Sequence, residues 1–102
     1  MYRETLTITR PDTSAEFRPL IDTSISLPIF AGPYHQTGQF IDSSQSTTPN
    51  GLVFTRITDF LDQASYTTIQ TAQETQYPTL ITDCQAYETL HSHTRTVVFS
   101  TI

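Results

Sequence analysis

The dipeptide Asn50-Gly51 stands between two runs of strand-like character, Gly38 to Ser44 and Gly51 to Phe60, and no other feature restricts the folding of this chain so tightly. Both residues tolerate positive φ, which a tight turn between antiparallel strands demands, so the runs are expected to close as a β-hairpin around Pro49-Asn50-Gly51. Two more stretches alternate in the same way. At one end Tyr2, Leu6 and Ile8 fall on one side and Arg3, Thr5, Thr7 and Thr9 on the other, the pattern of a half-buried strand. At the other end Thr94 to Ile102 reads as a final strand.

Helical spacing occupies the interval between hairpin and last strand. Asp62 is a fitting N-cap for a helix reaching about Tyr77, with Leu61, Ser65, Ile69, Ala72 and Gln76 on one face. Pro78 suits the first position of a second helix, in which Leu80, Cys84, Tyr87 and His91 recur with helical period. Ahead of the hairpin, Thr13-Ser14-Ala15-Glu16 has the form of a capping box that starts one helical turn, closed by Pro19. From Arg18 to Thr37, three prolines break an apolar stretch that is expected to lie on the core as an irregular segment, with a short helix near Pro28 to Gln36. The element order predicts an α+β domain spanning residues 1–102: an antiparallel sheet of about four strands with helices packed on one face, ferredoxin-like with a degenerate first helix.

Composition narrows the partners. Ten acidic residues face five arginines, lysine is absent, and the formal charge is −5. Arg3, Arg10, Arg18, Arg56 and Arg95 are spread singly, so neither nucleic acid nor an anionic membrane surface is an expected partner, since both need clustered cations. No apolar run approaches the roughly 20 residues that cross a bilayer. The N-terminus lacks the basic end and apolar stretch of a secretory signal, and synthesis in the cytoplasm is expected. Twenty threonines and nine serines fill the space that charge vacates, giving surfaces with little side-chain entropy to lose on contact. That favours burial against a neighbour.

Each candidate for chemistry competes with a structural explanation. His91 and His93 are the metal candidates, because residues two apart on a strand point the same way; they also lie at a helix C-terminus, where a cation is favoured by the dipole. Cys84 and His91 share a helix face but stand seven residues and about 10 Å apart, too far for a thiolate and its base. Asp59, Asp62, Glu74, Asp83 and Glu88 offer carboxylates that no spacing forces together, with Asp62 read as a cap and Glu88 as a solvated helix residue. Tyr34 and His35 form a pair suited to the mouth of a small-molecule site. Three glycines cannot meet the spacing of a phosphate loop. No catalytic residue, cofactor or firm metal site is expected.

From Thr37 to Leu90 the chain carries a Thr-Gly-x-Phe strand, Asn50-Gly51-Leu52, Asp62-Gln63-Ala64-Ser65-Tyr66, Tyr77-Pro78 and a Tyr87-bearing helix, and this resembles small proteins of tailed, especially marine, bacteriophages. The element order also resembles dimeric α+β barrel proteins, small monooxygenases among them, for which Tyr34, His35 and His91 would be the site residues. The first resemblance implies a non-enzymatic virion protein made in the host cytoplasm. It would act in a capsid, head-tail or tail position through contacts with other virion proteins and with copies of itself, as a homo-oligomer. The second implies a small dimeric enzyme or ligand-binding domain.

Overall fold

A computed structural model describes residues 1–18 and 34–102. Four strands, β1 (Tyr2–Thr9), β2 (Phe40–Thr47), β3 (Val53–Phe60) and β4 (Thr94–Thr101), and two helices, α1 (Gln63–Gln76) and α2 (Leu80–His91), carry the architecture. The strands form one antiparallel sheet in the order β2-β3-β1-β4. This is the expected four-stranded ferredoxin-like sheet with its helices on one face. Residues 19–33 of the stretch in which the degenerate first helix and the short helix from Pro28 to Gln36 are expected lie outside the described residues. Its described end, residues 34–36, is helical and closes in a turn, in which the Gly38 and Gln39 amides donate to the His35 and Tyr34 carbonyls.

The hairpin forms, but Asn50 serves it in a different way from the one expected. Only Gly51 takes positive φ, at 76°, and its amide donates to the Thr48 carbonyl at 2.8 Å. Asn50 works through its side chain: Oδ1 accepts from Leu52 N–H at 3.0 Å and from the Thr48 hydroxyl at 2.7 Å. At the far end of β2 the register shifts between Phe40 and Asp42, so Ile41 is the extra residue of a β-bulge.

Register sorts the side chains. Tyr2, Glu4, Leu6 and Ile8 stand opposite Phe60, Thr58, Arg56 and Phe54 on one flank, and opposite Thr101, Phe99, Val97 and Arg95 on the other. These residues face the helices. Leu6, Ile8 and Phe54 are buried with Phe17 at one end, and Phe60 packs on Ile69 of α1 at the other, joined by Tyr2, Tyr34, Phe40 and Tyr66. The opposite face bears rows such as Thr96-Thr7-Thr55-Ser46, with no helix over it among the described residues. Threonine and serine thus form the rows of an open sheet face.

Five local expectations are corrected. Residues 11–15 are bends and not a helical turn, because Asp12 Oδ1 accepts from Ser14 N–H at 2.9 Å and makes an Asx-turn in place of the capping box. Pro78 lies two residues ahead of the first helical residue. Tyr77 and Thr79 hydroxyls both donate to Asp83, which moves the helix start to a Thr79 N-cap. Asp62 caps α1 as expected, accepting from Ser65 N–H at 2.8 Å, but the buried stripe is Ser65, Ile69 and Gln73, with Leu61 52% exposed. On α2 the stripe is Leu80, Cys84 and Glu88. Glu88, expected in solvent, is 6% exposed and ion-paired with Arg95 of β4.

Candidate functional site

The middle of the inward sheet face is polar where a filled core would be apolar. Between the two apolar clusters, β1 contributes Glu4, β3 contributes Arg56 and Thr58, and β4 contributes Arg95. Side chains of this kind cannot be roofed by close-packed helices without leaving charge unsatisfied, and the layers part above them. The result is a cavity of about 350 Å³ between the sheet and both helices. Gln70 and Gln73 of α1 and Cys84 and Gln85 of α2 line its other wall, and Phe60, Tyr66 and Phe99 close an aromatic end. The Tyr66 ring meets Phe60 and Phe99 edge-on, with centroids 5.3 and 4.9 Å away.

Charge in the cavity is concentrated. Glu4 Oε1 lies 3.9 Å from Arg56 Nη2, with the two side chains only 15% and 17% exposed. Burial pushes the Glu4 carboxyl above the usual carboxylate range, and it does so against the opposing pull of Arg56 and then Arg95. The Tyr66 phenol is pushed up to about 12, chiefly by burial and next by the Glu4 charge, so it stands as a neutral hydroxyl. Arg95 gives its Nε–H to Glu88. Its Nη2 is buried and has no hydrogen-bond acceptor among the described residues. The arrangement can take a proton from a bound molecule at Glu4 and stabilise the resulting anion with two guanidinium groups.

The residues singled out in the sequence fall elsewhere. His91 and His93 do come together, ring centroids 6.0 Å apart, but they pack tilted or edge-on against Tyr87 and Phe17 outside the cavity. His93 is 8% exposed, and burial pushes its imidazole below the ordinary value, helped by His91 and Arg10 and opposed by Glu88 and Asp12. Among the described residues no three His, Cys, Asp or Glu side chains are grouped to hold a metal ion. Cys84 reaches the cavity and His91 does not. Tyr34 packs on the Phe60–Ile69 cluster, and His35 is exposed with its ring 6.0 Å from Phe40. Neither lines the cavity. The carboxylates are held apart: Asp59 by Arg3 at 2.8 and 3.0 Å, Asp62 at its cap, Asp83 by Tyr77 and Thr79.

Glu4, Arg56 and Arg95 were missed, although the alternation that found the strands also contains them. Glu4 shares the parity of Tyr2, Leu6 and Ile8, Arg56 that of Phe54 and Phe60, and Arg95 that of Val97 and Phe99. A charge on the buried side of a strand is the signal.

No protein-family model and no curated protein sequence matches the chain. Solved structures share its fold. SnoaB from Streptomyces nogalater, a cofactor-independent oxygenase, superposes with a TM-score of 0.66 at 15% identity over 99% of this chain and 91% of its own. A dimeric ferredoxin-like protein from an uncultured marine organism gives 0.65 at 10% identity, over 99% and 94% of the two chains. The monooxygenase ActVA-Orf6 of Streptomyces coelicolor, bound to nanaomycin D, gives 0.55 at 12% identity, over 99% and 86%. The ferredoxin-like resemblance read from the sequence holds at the level of fold. The expectation of a non-enzymatic phage particle protein is overturned, because the fold recurs end to end in oxygenases and the helix layer covers a cavity lined by ionisable groups. Six of the twenty threonines, Thr5, Thr7, Thr9, Thr55, Thr94 and Thr96, lie on the open face of the sheet.

Proposed function

We propose that this chain is a small-molecule enzyme of the oxygenase class, with the cavity between sheet and helices as its active site and Glu4 as the proton acceptor. The observation that carries the reading is a covered carboxyl, raised in pKa by burial, on the floor of a cavity that two arginines share. A base works best when its pKa lies near the working pH, and burial moves Glu4 in that direction. The fold likeness to a cofactor-independent oxygenase supports the choice of reaction class.

The chemistry asked of the protein is modest. Glu4 removes a proton from a carbon or oxygen acid, and Arg56 and Arg95 lower the energy of the anion that forms. Dioxygen is the co-substrate. For an activated methylene the balance closes with no other reagent: both C–H bonds break, the carbon gives up four electrons, one oxygen atom ends as the carbonyl and the other leaves as water. The neutral Tyr66 hydroxyl and the three aromatic rings orient a planar substrate body.

The open sheet face supports a second part of the proposal, that two copies pair through it, as the fold's occurrence in a dimeric ferredoxin-like protein suggests. An oxygen-electrode assay with bicyclic activated methylenes, beginning with 1,3-indanedione, tests the enzyme reading. Uptake is expected with the wild-type protein and not with a folded Glu4→Gln variant. Uptake that persists in Glu4→Gln would remove Glu4 from the reaction.

A further inference from the structure

Two of the five cations in a chain with ten acidic residues stand in one cavity. Arg95 is the better positioned of the two to receive a ligand. Its Nε–H is committed to Glu88, a side chain buried on α2, so the guanidinium plane is fixed before anything binds. A fork held by one edge keeps its other donors. One of these, Nη2, is covered by neighbouring protein atoms and lacks an acceptor among the described residues, so a ligand oxygen reaches it by displacing that cover from the cavity side. A buried donor left in that state is costly, and an acceptor brought by a ligand relieves the cost. The aromatic end of the cavity at Phe60, Tyr66 and Phe99 suits an apolar ring on the same molecule.

We infer that the molecule taken by this cavity is a ring-bearing organic anion, whose carboxylate or comparably acidic oxygen is held by Arg95. The inference rests on the reading of the cavity as the active site and adds the substrate class to it. Glu4 is the only acidic side chain lining the cavity among the described residues, and its single charge is outnumbered by the two guanidinium groups of Arg56 and Arg95. Arg56, on the other side of Glu4, keeps the local potential positive when the anion enters.

Calorimetric titration at pH 7 with 2-naphthoate and 2-naphthamide separates charge from shape, since the two probes differ chiefly in the anion. The wild-type protein is expected to bind naphthoate at least roughly tenfold more tightly, the scale of one charge-assisted hydrogen bond. Arg95→Gln alone strands Glu88 in a buried place, so the decisive variant is the double substitution Arg95→Gln with Glu88→Gln, which keeps that pair neutral. It is expected to bind both probes about equally. Arg3→Gln, which removes a cation on the open face, is expected to leave the preference intact. Equal binding by the wild type, or tighter binding of the amide, overturns the anion while leaving the cavity reading in place. A naphthoate preference that survives the double substitution overturns the role of Arg95. Binding of neither probe overturns the cavity reading and the inference together.

Discussion

Replacing Glu4 by Gln should make the protein more stable at neutral pH while disabling it. At 3.9 Å and an effective dielectric of about 20, the attraction between Glu4 and Arg56 is worth about 4 kcal/mol before any cost is counted. The carboxyl is nevertheless raised in pKa, so the cost of taking its charge out of water exceeds that attraction and the further pull of Arg95. The remainder is destabilisation carried by the ionised form. A neutral amide of the same shape removes it. For a domain of this size each 1 kcal/mol so removed raises Tm by roughly 4–8 °C. The pH dependence identifies the cause. Because the folded state holds this proton more tightly than the unfolded chain, whose carboxyl titrates near 4.5, wild-type stability falls as pH rises through the interval between the two values. Below that interval both forms are protonated and the variants should melt together. Other carboxyls titrate alike in both proteins, so the Tm difference isolates Glu4. Thermal melts by circular dichroism from pH 3.5 to 8 would show a gap opening with pH. A Tm that drops on substitution, or a gap constant with pH, would refute the argument that burial dominates at this site.

Ile69, 1% exposed against Phe60, should cost about 3 kcal/mol when cut to Ala; the urea midpoint then falls with the slope unchanged. Thr7 lies in the central row of the open face, so Thr7→Glu places like charges near each other across a face-to-face pair of copies. Sedimentation is expected to report about twice the 11.5 kDa chain mass for the wild type and the single mass for the variant. Ile81 is 48% exposed where it lines the cavity, and the chain has no tryptophan. An Ile81→Trp variant should therefore fold and report ligand entry by a change in fluorescence.

The frame of the fold was legible because its signals are local. Alternation located β1, β3 and β4, Asn50-Gly51 placed the hairpin, and Asp62 capped α1. What the pattern misplaced shares one physical origin. Counting apolar residues passes over Gln73 and Glu88, so each expected stripe follows the buried face through Ser65 and Ile69 or Leu80 and Cys84 and leaves it at the third residue. It also passed over Glu4 on the inward side of β1, and with it the polar middle of the sheet. These polar residues are buried because they line or adjoin the cavity, and local rules fail most often where a site has been built. The bulge at Ile41 left no mark, since Phe40 and Ile41 are both apolar. His91 and His93 drew attention by residue type, and their surroundings in the fold proved to be aromatic packing.

The place where a small molecule binds decides whether the cavity is the active site. A crystal of the protein soaked with aromatic acids and activated methylenes gives the answer directly. Ligand density is expected between the sheet and the two helices, with its ring against Phe60, Tyr66 and Phe99 and its oxygen toward Glu4 and Arg95. Density confined to the open threonine face, or to the His91–His93 cluster, with the cavity holding only water, would contradict that placement.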